Sequence, residues 1–187
     1  MDGVSGIVLA GGLGRRMGGV DKGLQPFRGR PMVAWAIERL APQVDELLVN
    51  ANQNLERYAA FGHRVVPDEL GGFAGPLAGL HAGMKAARNE AVVTVPCDSP
   101  FLPRDLVLRL MGFLEKHDLA VAKTGAQPHP VFCLVRKRVL GNLEAFLAGG
   151  GRKIDLWYAS LSIVEVAFDD EAEAFRNINT IEELGSA

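Results

Sequence analysis

The stretch Gly6-Ile-Val-Leu-Ala-Gly-Gly-Leu-Gly-Arg-Arg-Met-Gly-Gly-Val-Asp-Lys22-Gly-Leu24 decides the fold. Its first five residues form a short apolar run that ends in glycines, which reads as a strand buried on both faces. The loop after it, up to Gly23, holds six glycines, Arg15, Arg16 and Lys22. Glycine-rich backbone lets several N–H groups point at one anion, and the cations neutralise it. Met17 breaks the G-x-G-x-x-G fingerprint of dinucleotide sites, and no G-x-x-x-x-G-K-[ST] run is present. The loop is therefore a phosphate cradle of neither of the two commonest kinds.

Charge supports that reading. The chain of 187 residues has a formal net charge of −2, yet residues 11–30 carry a local +4, leaving −6 for the remainder. An acidic average argues against a nucleic-acid or membrane surface, while the basic, glycine-rich stretch suits one compact anion. The length suits one domain of about 100–200 residues. Cys97 and Cys133 have neither metal-clamp nor redox spacing and point to a reducing compartment, the cytoplasm. No signal-peptide pattern opens the chain, and no run approaches the roughly 20 apolar residues of a membrane span.

Outward from the loop, strands and helices alternate. Strands are expected at 46–50, 64–67 and 91–95, and helices from Pro31, near 55–61, from Pro76 and from Pro103. Further strands are expected at 119–123, 131–135 and 162–167, with helices at 137–147 and 153–159. Thr180-Ile-Glu-Glu is a capping box for a terminal helix. The pattern predicts a three-layer, Rossmann-like α/β domain: a mostly parallel sheet with helices on both faces. Such sheets bind ligands beyond the carboxyl ends of their strands. The glycine loop, Asn50 and Pro96-Cys97-Asp98 all fall at such ends. Read alone, Asp98 fits a turn or helix cap as well as a metal ligand, and Asn50 fits a turn.

The run LAGGLGRRMGGVDKGL (9–24) resembles the nucleoside-triphosphate loop of nucleotidyltransferases, and most of all that of the molybdenum cofactor guanylyltransferases. The resemblance continues at VNAN (49–52), GPLAG (75–79), PCDSPFLP (96–103), His129-Pro130 and NINTIEEL (177–184). It implies transfer of GMP from GTP to the terminal phosphate of molybdopterin, with release of pyrophosphate and dependence on Mg²⁺. It assigns the nucleotide to Leu9, Ala10, Gly11, Gly12, Lys22, Asn50, Asp68 and Asp98, and the metal to Asp98. Arg16, Lys22 and Asp98 would carry the chemistry, with acceptor contacts at His129, Asn177 and Asn179. The implied partners are GTP and molybdopterin or molybdenum cofactor, with transient contact to molybdenum-insertion proteins or acceptor molybdoenzymes left open. Residues 1–103 would form the nucleotide half and 104–187 the acceptor half. Gly11, where related cytidylyl enzymes tend to have alanine, favours guanine by one methyl of space. Other readings of the same residues are a molybdopterin cytidylyltransferase, a sugar-phosphate nucleotidyltransferase, or a non-catalytic nucleotide or cofactor-binding module. His63, His81 and His117 lack zinc spacing; Trp35, Trp157 and Tyr158 read as core or partly buried edge residues, and Arg152 and Lys153 as a solvated face or, second to that, as contacts to the pterin phosphate.

Overall fold

The computed structural model describes residues 3–12, 21–69 and 75–178. The Gly6–Ala10 run lies in strand β1 (Val4–Leu9), buried along all but its last residue. After a short turn at Lys22–Leu24, a hairpin of β2 (Pro26–Phe27) and β3 (Arg30–Pro31) leads into α1 (Met32–Leu40). Next come β4 (Glu46–Asn50), α2 (Leu55–Ala59), β5 (Arg64–Val66), α3 (Pro76–Ala86) and β6 (Ala91–Pro96). The second half adds α4 (Leu106–Leu114), β7 (Leu119–Thr124), β8 (Gln127–Arg136), α5 (Leu140–Ala148), α6 (Ile154–Tyr158) and β9 (Ile163–Ala167).

Seven strands form one sheet in the order β5-β4-β1-β6-β8-β7-β9. β1 pairs in parallel with β4 on one side and β6 on the other, so the chain's winding reverses beside β1. Alternate strand residues enter two different cores. Val8, Val49, Val93 and Val95 pack with α1 and α4 residues such as Ile37, Leu40, Leu106 and Leu110. Ile7, Leu48 and Val92 pack with Leu77, Leu80 and Met84 of α3 and Leu143 and Trp157 of α5 and α6. Two-residue strand periodicity thus builds the three layers that the pattern predicts. Trp35 takes the edge position of that reading: it is half-buried, and its indole N–H donates to the Phe27 carbonyl at 2.9 Å.

Three elements differ from the sequence reading. Pro103 does not start α4; the helix begins at Leu106, where Gln43 reaches across to cap it by accepting the Val107 N–H at 3.0 Å. The strand expected at 131–135 begins at Gln127 and runs antiparallel between β6 and β7. Its turn places Gly125 at φ +55°, which suits glycine. Pro128 and Pro130 have no N–H to give the ladder, and the pairing with β7 slips between Val121 and Ala122. Side chains serve the carbonyls there: Tyr158 Oη donates to Pro130 O at 2.5 Å and Thr94 Oγ1 to Val131 O at 2.7 Å. The β2–β3 hairpin is the third difference; two-residue strands carry too little periodicity to announce themselves. The terminal helix expected from Thr180 lies outside the described residues.

α3 lies close on the sheet because its glycines permit it. A methyl group on Gly83 would come within 2.0 Å of Ile7 Cδ1. Gly83→Ala should therefore lower stability in urea denaturation by about 1–3 kcal/mol, against alanine's helix preference. Ile7→Val removes the obstructing carbon, so the double variant should be less unstable than the two single effects summed.

Candidate functional site

The carboxyl ends of β1, β4 and β6 are laced together. Ala10 N donates to Asn50 O at 2.7 Å and Cys97 N to Leu9 O at 3.1 Å. This lacing gathers Leu9–Gly12, Asn50, Asp68 and Asp98 along one edge of the sheet. Arg15 and Arg16 lie outside the described residues, as does Asn179.

Lys22 and Asp98, 76 positions apart, form an ion pair with Nζ 2.5 Å from Oδ2. The turn that carries Lys22 is anchored from α2. Tyr58 Oη donates to Asp21 Oδ1 at 2.5 Å and Asn54 Nδ2 to Asp21 Oδ2 at 2.8 Å. Burial pushes the Tyr58 hydroxyl well above its ordinary range, so it stays a donor. Gly23 fits under that phenol: an added Cβ would sit 2.5 Å from Tyr58 Oη and 3.3 Å from Cys97 Sγ. Asp21, Tyr58 and Gly23 escaped the sequence reading. The Asp-Lys-Gly run was visible, but the phenol that fixes it comes from a helix more than 30 residues away.

The Asp98 turn is also held from the chain's far end. Ile178 N donates to Asp98 O at 2.9 Å, and Ser99 Oγ donates to Asn177 Oδ1 at 2.5 Å. Asp98 Oδ1 is buried and, among the described residues, has no hydrogen-bond partner. A carboxylate with one oxygen on a lysine and the other buried and unsatisfied suits a cation shared with phosphate oxygens. Among the described residues no group of three or more His, Cys, Asp or Glu could hold a metal by itself.

A second cluster sits at the ends of β4 and β5. Asn50 is 2% exposed. Its Nδ2 donates to Val66 O at 3.0 Å and Asp68 Oδ1 at 2.8 Å. Asn52, missed as a site residue though it lies in the VNAN run, donates to Asp68 Oδ2 at 2.8 Å and Gly11 O at 3.2 Å. Asn52 Oδ1 accepts the Asp68 backbone N–H at 2.8 Å. Gly79 makes room for this arrangement: a Cβ there would come within 2.3 Å of Asn50 Oδ1.

His129 lies at the same edge, because β8 runs against β6 with Cys133 opposite Thr94. Its ring stacks on Phe175 at 4.6 Å and its Nε2 lies 2.8 Å from Thr124 Oγ1. Of the other histidines, His81 is buried against Glu144, and His117 meets Ser162. Trp157 and Tyr158 are buried. Arg152 is exposed and donates to the carbonyls of Leu147 and Gly151, closing the end of α5.

The family model for the MobA-like NTP transferase domain matches residues 6–161. A molybdenum cofactor guanylyltransferase of Cupriavidus necator is 52% identical, over 98% of this chain and 95% of that protein. Another from Shewanella putrefaciens is 48% identical, over 96% of this chain and 93% of its own. The crystal structure of molybdopterin-guanine dinucleotide biosynthesis protein A from Archaeoglobus fulgidus superposes with a TM-score of 0.80 at 24% identity. It covers 97% of this chain and 95% of that one, a likeness of fold.

Partial burial depresses the pKa of His129 below its ordinary 6.5. The unfolded chain then binds that proton more readily than the folded one. The stability this histidine contributes is complete above the ordinary value and is lost as pH falls through the window below 6.5. Urea midpoints at about pH 5 and about pH 7.5 should differ less for His129→Gln than for the wild type.

Proposed function

The chain belongs to the molybdenum cofactor guanylyltransferases, within the MobA-like NTP transferase family, and is a nucleotidyltransferase; on that premise we propose how its residues act. It transfers GMP from GTP to the terminal phosphate of molybdopterin, with Mg²⁺ bound through Asp98. The observation that carries the site assignment is the meeting of Lys22 and Asp98 beyond the carboxyl ends of β1 and β6.

In the reaction an oxygen of the acceptor's terminal phosphate attacks the α-phosphorus of GTP in line. The new P–O bond forms as the bond to the β-phosphate oxygen breaks, and pyrophosphate leaves with the electron pair. A phosphate monoester, with a second pKa near 6, is already largely dianionic at neutral pH, so no general base is required. What the protein must supply is position and positive charge. The backbone of Leu9–Gly12 cradles the nucleotide. Lys22, held by its Asp21–Tyr58 anchor, neutralises the triphosphate and the departing pyrophosphate, and Arg16 shares that work. Asp68 and Asn50 meet the nucleoside. Asp98 would hold the Mg²⁺, which would supply positive charge beyond that of Lys22. His129, Asn177 and Asn179 serve the acceptor, so residues 1–103 form a nucleotide half and 104–187 an acceptor half.

Among the described residues no helix is long and apolar enough to cross a membrane. Both cysteines are free and buried, consistent with the reducing cytoplasm. Transient contact with molybdenum-insertion proteins or acceptor molybdoenzymes would follow from such a role.

Protein incubated with Mg²⁺, molybdopterin and each nucleoside triphosphate in turn should release pyrophosphate with GTP. Release with CTP and not GTP would overturn the base assignment, and release with neither would overturn the enzyme reading. Asp98→Asn and Lys22→Gln should each lower kcat by about 10²–10³-fold while circular dichroism stays that of the wild type. Full activity in Asp98→Asn would remove the metal assignment.

A further inference from the structure

The amide cluster at the ends of β4 and β5 has an unusual hydrogen-bond balance. Asn50 spends both Nδ2 protons, one on Val66 O and one on Asp68 Oδ1. Asn52 likewise spends both, on Gly11 O and Asp68 Oδ2. Neither amide can be turned over. Asn50 Nδ2 faces a backbone carbonyl, which only accepts, and Asn52 Oδ1 faces the Asp68 N–H, which only donates. The cluster therefore has no side-chain N–H left for a ligand. What remains are the spare lone pairs of the Asp68 carboxylate and of the asparagine oxygens.

Gly11 is part of the same unit. A Cβ on Gly11 would sit 2.8 Å from Asn52 Nδ2 and 2.9 Å from Asn50 Oδ1. The glycine of the first loop thus makes room for the amides.

We propose that Asn52 is the positioning residue for base choice, locking Asp68 and Gly11 so that the nucleoside meets acceptors and no side-chain donors. This rests on the reading above that Asp68 contacts GTP. Two adjacent acceptors match the neighbouring N1–H and N2–H₂ donors of guanine. Cytosine places an acceptor, N3, beside its amino group and leaves a carboxylate lone pair facing another lone pair. Asn52 touches no reacting atom. Its effect is on the orientation of Asp68, and so on binding and base preference more than on the chemical step.

The test is calorimetric titration with GTP and with CTP, alongside pyrophosphate release. For Asn52→Ala, GTP affinity should fall by about tenfold and CTP affinity by less. The GTP-to-CTP ratio should shrink, and kcat at saturating GTP should stay within a few-fold of wild type. Gly11→Ala probes the clamp from its other side. Its cost should be smaller in the Asn52→Ala background, where half of the obstruction is gone. Thermal unfolding of each variant verifies that it is folded, and the two substitutions keep the test open if one is not. An unchanged GTP-to-CTP ratio in Asn52→Ala overturns the inference, and independent multiplication of the two effects overturns the link to Gly11. If the wild type itself releases no pyrophosphate from GTP, the failure lies in the underlying reading and not in Asn52.

Discussion

The parallel pairing of β1 with both β4 and β6 is the constraint from which the rest follows. A central strand buried on both faces must be apolar to its end, which Ile7 and Val8 satisfy by feeding separate cores. Because both partners run the same way, three carboxyl ends arrive at one edge. The lacing bonds Ala10 N to Asn50 O and Cys97 N to Leu9 O then fix those ends to one another. Every residue placed one or two positions beyond a strand is delivered to the same crevice. Asn50, Asp68 and Asp98 reach the same edge of the sheet for that reason, although the sequence spreads them over about a quarter of the chain.

That logic also explains what could be read before any coordinates. β1, β4 and β6 are buried parallel strands, and such strands are continuous apolar runs bounded by glycine, asparagine or proline, so their ends are visible. Residues at those ends were legible in turn, as were Lys22 and the glycine loop. Features made by contacts distant in sequence were not. Nothing local announces that Tyr58 grips Asp21, that Gln43 caps α4, or that Asn177 accepts from Ser99. β8 was legible as a strand but not as an antiparallel insertion, because its direction is set by the Gly125 turn and its prolines give the ladder no N–H. Gly11 shows the intermediate case. Its importance could be read from the loop, but its physical reason, two amides packed against the missing methyl, required the fold.

The Lys22–Asp98 pair carries a chemical economy of its own. Each group has a second duty in the proposed reaction, the lysine toward phosphate and the carboxylate toward metal. Held together, each partly offsets the desolvation of the other in a crevice where both are largely sheltered, with side-chain exposures of 22% and 16%. The remaining Asp98 oxygen stays buried and unsatisfied among the described residues, a cost that a protein tolerates where a ligand will later satisfy it. In the proposed reaction a triphosphate with its cation would replace this pair by contacts of the same sign pattern, anion on lysine and cation on carboxylate. The crevice would then be complementary to a metal-bound polyanion rather than to either charge alone.

Position along the chain gives that carboxylate a further constraint. The Asp98 turn is the end of β6, yet its carbonyl accepts from Ile178 and its neighbour Ser99 donates to Asn177, more than 70 residues later. Beside these lie Phe175 and the His129 ring stacked on it, both from the second half of the chain. A nucleotidyl transfer must bring the acceptor's phosphate and the triphosphate to one point while each repels the other. A carboxylate set by β6 on one side and by the 177–178 segment on the other cannot shift without disturbing both halves. Its place is therefore fixed jointly by β6 and by the 177–178 segment. Positional certainty of that kind is what a reaction made mainly of positioning and charge neutralisation requires.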